Sequence, residues 1–414
     1  MCKKWIKKTQ KVIEICGVND IFCIALVFSR NNYRYQSYAR QYAATLLGMQ
    51  KQVVIFSPDW INLNNYLLTQ FKNKAKYIKC YPISQTIENE ANSGNFELFL
   101  KLLKLSRGLY RAEKALQTKI ECVFFAPVDD WIKPKFGKKW MKWAFNYKWS
   151  GLLVNMDVYH RGGVKVNVDP KFNEPDYLLS STNCVSVATI DRYQTEALRS
   201  RIYKKVVVVP DISDYDLPAK PQKICNQIRT MAAGRMIVGT ILLENENPEN
   251  FLAAAVKADN DKYFFVCAGK IEPNFLSKKA REALDQLLVS EKNNTYFILN
   301  QMEESESIND LIQVFDVYYL NDGQFQLPHP LLSKAAYFNK PVIGSKNDMI
   351  GKLLASFKTG IGVNGKVNDS LEALNLLRLQ MPFEENFDLE KLQNYAKLQS
   401  PEALQDALES LFVF

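Results

Sequence analysis

The sequence has 414 residues, 47% hydrophobic and 23% charged, and carries a net charge of +9. This length exceeds one ordinary core and points to two domains of roughly 200 residues each. The composition is that of a soluble globular protein and excludes a membrane-spanning one, because the longest apolar run, Ile21–Phe28, falls far short of the ~20 residues that cross a bilayer.

The N-terminal MCKKWIKKTQK is basic but has no apolar segment behind it, so no secretory signal is expected. Ile21–Phe28 reads as a buried strand, Tyr35–Leu47 as a helix and Gln52–Phe56 as the next strand. Phe96–Leu116 has apolar residues at helical spacing. Cys122–Phe125, Leu152–Asn155, Val185–Ala188 and Val206–Val209 are further strands. Strands separated by helices predict parallel βαβ units with right-handed crossovers. The turn- and proline-rich run from Pro210 through Pro221 interrupts this rhythm and reads as a connector.

The pattern then restarts. Ile237–Leu242, Tyr263–Ala268, Tyr296–Leu299 and Val314–Leu320 read as strands, and Pro248–Ala258 and Ser277–Leu288 as helices. Leu331–Phe338 is a short helix, Lys340–Ile343 a buried strand, Met349–Ser356 a helix, and a last strand lies near Ile361. Leu389–Leu398 and Pro401–Leu411 are C-terminal helices that could cross back onto the first domain. The expected fold class is α/β, with two Rossmann-like domains facing across a cleft. Its divisions are a first domain over 1–211, a linker over 212–222, a second domain over 223–388 and terminal helices over 389–414.

Charge divides along the same boundary. Residues 1–211 hold 33 Lys and Arg against 17 Asp and Glu, net +16, while the remainder holds 20 against 27, net −7. A basic half suits an anionic partner such as a membrane surface, a lipid-phosphate carrier or an acidic glycan. The eight cysteines are scattered with no C-x-x-C, and Cys23, Cys122, Cys184 and Cys267 lie in strand-like runs. Reduced, buried thiols in a cytoplasmic protein follow, rather than a zinc site or a disulfide framework.

In open parallel sheets, ligands sit beyond the carboxyl ends of the strands. Gly239-Thr240 and Gly269-Lys270 read as strand–helix turns where a backbone can approach a phosphate, and Lys270 or Arg235 could neutralise a diphosphate. Ordinary turn glycines and solvated cations are the plain alternative. Asp157, His160 and Arg161 lie close together and could bind an acceptor hydroxyl or supply a general base. Two histidines in the whole chain, His160 and His329, exclude a multi-histidine metal site. Between Trp131 and Trp149 the chain holds four tryptophans and six lysines, which suits an anionic bilayer interface. Single-stranded nucleic acid is disfavoured because no nucleic-acid motif accompanies them, and inward-packed tryptophans on a basic helix are the plain alternative.

The second half carries Val238-Gly239-Thr240, the NPENFLAAA helix, FFVCAGK at Phe264–Lys270, the segment Glu304–Asp316, and SKAAYFNKPVI at Ser333–Ile343. In these residues it resembles the family-4 retaining glycosyltransferases of the two-domain GT-B architecture. The first half resembles bacterial members more loosely, through FFAPVDDW, KWSGLLVNMDVYHR and KKVVVVPDISD.

The resemblance implies transfer of a sugar from a nucleotide-diphosphate donor to a hydroxyl of a glycan or lipid-linked acceptor. It implies retention of configuration and no metal or cofactor. Gly239, Thr240, Gly269, Lys270, Gly323, Gln326, Ser333 and Lys334 would then hold the donor. Asn31, Asn32, Asp129 and Arg161 would hold the acceptor, and Asp157, His160 and Lys270 would serve catalysis. The family's Glu-x7-Glu donor motif is absent. Counting back from Pro341 puts Lys334 and Gln326 at its two acidic positions, and aligning on Leu327-Pro328 puts Leu331 and Gly323 there. This departure keeps open a catalytically silent homologue that acts as a binding or scaffolding subunit, and a polyanion-binding protein is a third class. A cytoplasmic protein, peripheral to the inner face of the membrane, is expected.

Overall fold

Apolar runs that lack polar alternation form strands covered on both faces, and here they build two wholly parallel sheets. The computed structural model describes residues 22–85, 95–131, 143–154, 179, 181–193, 195–202, 204–212, 214–243, 247–271, 276–289, 293–299, 305–320, 329–383 and 387–412. Asp157, His160, Arg161, Gly323 and Gln326 lie outside them.

The first domain contains strands β1 (Cys23–Phe28), β2 (Gln52–Ser57), β3 (Ile78–Pro82), β4 (Ile120–Ala126), β5 (Trp149–Leu153), β6 (Cys184–Thr189) and β7 (Lys205–Val208). Its helices are α1 (Tyr33–Gly48), α2 (Trp60–Gln70), α3 (Asn95–Leu116) and α4 (Thr195–Ile202). The strand order is β3-β2-β1-β4-β5-β6-β7. Alternate residues of β1 face opposite cores. Cys23, Ala25 and Val27 meet Leu98, Leu102, Leu105 and Leu109 of α3, while Ile24, Leu26 and Phe28 meet Tyr38, Tyr42 and Leu46 of α1.

The second domain begins with α5 (Lys223–Ala232) and continues β8 (Met236–Leu242), α6 (Glu249–Lys257), β9 (Tyr263–Gly269), α7 (Lys278–Val289) and β10 (Thr295–Ile298). It goes on with α8 (Ser305–Val314), β11 (Val317–Tyr319), α9 (Pro330–Tyr337), β12 (Val342–Ser345), α10 (Met349–Phe357), β13 (Gly360–Val363) and α11 (Val367–Arg378). Its sheet order is β10-β9-β8-β11-β12-β13. Two helices follow. The first, α12 (Leu389–Leu398), buries Leu392 and Tyr395 in the second domain, and α13 (Pro401–Leu411) returns to the first.

The sequence at α13 explains its sharp start. Ser400 caps it by accepting from Ala403 N at 3.2 Å, Pro401 takes the first turn and Glu402 complements the helix dipole. Leu404, Ala407, Leu408 and Leu411 then pack beside α1. Ser186 Oγ donates to the Leu411 carbonyl at 3.0 Å. The terminal crossing expected from sequence is therefore made by α13.

Several elements differ from expectation. The strand expected over Val314–Leu320 is β11 alone, because Val314 closes α8. Helices α2, α4, α5, α8 and α11 and strand β3 were not expected. Only Ile78 of β3 is buried, so this edge strand offers no apolar run to read.

Candidate functional site

Each sheet reverses its winding once, between β1 and β4 in the first domain and between β8 and β11 in the second. Crevices for ligands open at the carboxyl ends of such strand pairs. On the first domain the crevice is lined by the segment after β1, Ser29 to Asn32, and the segment after β4, Pro127 to Trp131.

These two loops are tied to each other. Arg30 grips Asp130 with a two-pronged pair, Nη2 to Oδ1 at 2.8 Å and Nε to Oδ2 at 3.0 Å, and Ser29 Oγ donates to Oδ2 at 2.7 Å. Asp129 accepts from the Val154 N–H at 2.8 Å and so fixes the end of β5. Asn32 caps α1 by accepting from Tyr35 N at 3.2 Å, and Asn31 Oδ1 accepts from Gln36 Nε2 at 3.1 Å. Asn31, Asn32 and Asp129 thus stand at the expected edge, with side-chain oxygens engaged in shaping it. Sequence reasoning set the acceptor near Ser29–Arg34 but did not pair Arg30 with Asp130, although a lone arginine beside a strand end with a carboxylate-rich loop elsewhere was the available signal.

On the second domain the expected donor residues separate. Gly239 and Thr240 do not form a turn; both lie inside β8, fully buried. A Cβ on Gly239 would meet the Phe315 ring at 2.2 Å, so this glycine makes room for an aromatic ring in the core rather than for a phosphate. Gly269 does end a strand. Its φ of +117° is barred to ordinary side chains, and a Cβ would meet the Leu242 carbonyl oxygen at 2.3 Å. Lys270 follows it, exposed, at the carboxyl edge of β9.

Arg235 sits at the opposite edge, before β8. Its guanidinium donates to the carbonyls of Ala232 at 2.8 Å, Asn293 at 2.8 Å and Asn260 at 3.2 Å, and it lies over the Phe264 ring. It closes the base of the domain and cannot reach a ligand at the crevice.

Ser333 and Lys334 are fully buried in α9, beneath the connector between the domains. Ser333 Oγ donates to the carbonyls of Pro330 at 2.7 Å and Asp211 at 3.3 Å. The Lys334 ammonium donates to the Asp214 carbonyl and to Asn309 Oδ1, and Asn309 Nδ2 in turn donates to the carbonyls of Asp214 and Asp216. Burial pulls the Lys334 ammonium down to about 8, and the Asp214 and Asp216 carboxylates oppose that pull. Lys334, expected at the donor, therefore anchors the connector; neither residue presents its side chain to the crevice. His329 caps α9, its Nδ1 accepting from Leu331 N at 3.3 Å.

The connector itself is a hub. Asp211, 2% exposed, accepts from the Tyr38 hydroxyl at 2.5 Å and faces Arg34 at 3.7 Å. Its own N–H donates to Gln399 Oε1 at 2.7 Å. Burial, and then the Asp211 carboxylate, push the Tyr38 hydroxyl well above its ordinary value. Further out, the Tyr193 hydroxyl meets Ser356 Oγ at 2.8 Å and Arg192 lies over the Phe357 ring, joining the β6 edge to α10.

Of the tryptophan-rich stretch, Trp131 and Trp149 are core residues, 4% and 0% exposed. Trp143 is 74% exposed and stacks on Phe99 at 5.4 Å. Among the described residues no helix is long and apolar enough to cross a membrane.

The sequence matches no family model and no curated protein. Solved structures do match over nearly the whole length. Sucrose-phosphate synthase from Thermosynechococcus elongatus superposes with a TM-score of 0.61 at 15% identity, covering 94% of this chain and 98% of that one. HepE from Anabaena in complex with UDP gives 0.59 at 12% identity, over 94% and 98%. WaaG, a glycosyltransferase involved in lipopolysaccharide biosynthesis, gives 0.58 at 10% identity, over 95% and 100%. Two doubly wound parallel domains, joined by the hub at Asp211 and closed by α13, give this chain the GT-B fold.

Proposed function

We propose that the protein is a glycosyltransferase that takes a nucleotide-diphosphate sugar on its second domain and an acceptor hydroxyl on its first. The observation that supports this best is the pairing of two like crevices, at β1/β4 and β8/β11, in one end-to-end GT-B fold that HepE shares with UDP bound. The Gly269 turn lets backbone come close to a diphosphate, and Lys270 beside it supplies a cation. In the step, the bond from the sugar's anomeric carbon to the donor phosphate oxygen breaks and a bond to the acceptor oxygen forms. The acceptor proton passes to the departing phosphate, with retained configuration. Asp157, His160 and Arg161 on the acceptor side, and Gly323 and Gln326 on the donor side, keep the roles the resemblance gives them. A glycan or lipid-linked acceptor, and work at the cytoplasmic face of a membrane, agree with the exposed Trp143 and Phe96 on the basic domain.

One observation favours a second reading, a silent homologue that binds without turnover. The lysine in place of a family glutamate is locked into the connector and leaves no carboxylate at that position. Thermal shift and transfer assays across UDP-, GDP- and dTDP-sugars separate the two. Binding with transfer supports the enzyme, binding without turnover supports the silent homologue, and no binding at all sinks both.

A further inference from the structure

A concavity of about 740 Å³ opens on the first domain beside the β1/β4 crevice, with which it shares Asp130 and Trp131, and extends over β2 and β3. That size suits a small ligand. Its floor is aromatic: Phe56 at the end of β2 stacks on Tyr81 at the end of β3, with ring centroids 5.4 Å apart, and Trp131 closes one side. Its rim is helix α3, which contributes Lys101, Lys104, Arg107 and Arg111.

The spacing of these cations is the informative part. Lys104, Gly108 and Arg111 fall on one stripe of the helix, with Arg107 beside them, and the stripe runs about 10 Å along the axis. Gly108 sits over Phe56, where a Cβ would meet the ring at 2.9 Å. The missing side chain lets the helix backbone close onto the Phe56 ring, so Lys104 and Arg111 flank a bare stretch of backbone seated on an aromatic edge.

The pocket's acids do not neutralise this stripe. Glu97 pairs with Lys101 at 3.6 Å, and Asp130 is held by Arg30. Among the described residues no carboxylate pairs with Lys104, Arg107 or Arg111, all three exposed. Like charges three and four residues apart repel and lower helix stability. A ligand that supplied an oxyanion would relieve that repulsion, and two arginine forks match an oxyanion's geometry.

We propose that this pocket binds the acidic group of a sugar acceptor, a phosphate or carboxylate seated between Lys104, Arg107 and Arg111 with the sugar against the half-buried Tyr81 ring. The proposal rests on the transferase reading for the word acceptor; the anion site itself rests on the pocket. A bilayer is a poorer fit, because Phe56 and Trp131 are each only 4% exposed and form a recessed floor.

The test is calorimetry on the full chain at low salt with glucose 6-phosphate, glucuronate and uncharged glucose. At least one of the two anions should bind and glucose should not, which also tells phosphate from carboxylate. The Lys104→Ala/Arg107→Ala/Arg111→Ala variant should weaken that binding at least tenfold, and Lys104→Arg should retain it. A UDP thermal shift, measured on both proteins, reads the donor side separately and should be unchanged by the triple substitution. Equal anion binding by wild type and the triple variant overturns the proposal, as does binding of glucose as tight as that of the anions. So does cation-dependent binding confined to phosphatidylglycerol vesicles, which would make the helix a membrane face. Absence of a UDP shift in the wild type counts against the transferase reading alone.

Discussion

The carboxyl edges of the two sheets are built alike and equipped differently. On the first domain, chemistry sits on side chains: Arg30, Asp129 and Asp130 at the crevice, and Lys104, Arg107 and Arg111 beside it. On the second, the described edge offers the left-handed turn at Gly269 with Lys270 after it, while Ser333 and Lys334 are drawn down into the connector. The imbalance of +16 against −7 between the halves has the same sense. One topology can thus carry a side-chain site and a backbone site, and a charge at a matching sequence position can be an anchor in place of a ligand contact.

The strongest way to break this comparison is Lys334→Ala. It leaves a cavity and an unpaired Asn309 oxygen, removes one of the two donors to the Asp214 carbonyl, and should cost on the order of 3 kcal/mol in denaturant unfolding. Its pH dependence sharpens the point. The folded ammonium is held near 8 against an ordinary 10.5, so the unfolded chain binds more protons between those values. Lys334's contribution therefore rises with pH through that window and is lost as pH falls through 8. The gap between wild type and Lys334→Ala should widen by roughly 2 kcal/mol from pH 7.5 to 9.5. A constant gap would mean that the ammonium is not buried as described. Above about pH 10 the trend reverses in the wild type, because burial raises the hydroxyls of Tyr38 and Tyr215 and the unfolded chain loses those protons first.

Gly239→Ala comes next. Forcing a methyl against Phe315 should cost about 1–3 kcal/mol, and Phe315→Leu should recover part of the loss in the double variant. Failure of that rescue, together with weakened UDP binding, would restore Gly239 to the donor site. Lys270→Ala should leave the melting temperature in place and weaken UDP about tenfold, or ~1.4 kcal/mol; unchanged UDP affinity would take Lys270 out of the donor site. The smallest effect is expected from Tyr193→Phe, which removes an exposed contact to Ser356 and should shift stability by about 0.5 kcal/mol or less.

Architecture was legible in the sequence because buried parallel strands are written as unbroken apolar runs. The stretches around Cys23, Val123, Val238 and Phe265 announce themselves, and the restart after Pro221 gives the second domain. What was not legible turned on three-dimensional neighbours. Gly239 resembles a turn until Phe315 is seen against it, though its setting within MIVGTIL marks a strand interior. Lys334 lies three residues after Leu331 and four before Phe338, on the apolar stripe of a short helix, which hints at burial but cannot name Asp214 or Asn309 as partners. Over α3 the apolar spacing was read and the cations between were not, and nothing in the helix itself announces the aromatic rings brought in from β2 and β3.

The return of α13 means that the chain crosses between the domains twice. The two crossings are stitched together at Gln399, whose side chain accepts from Asp211 N and whose carbonyl accepts from the Tyr215 hydroxyl at 3.0 Å. Two strands lashed side by side make a two-ply hinge. Two ties resist torsion where a single linker would swivel, so any relative movement of the domains would be held to one arc that returns the same two edges to register.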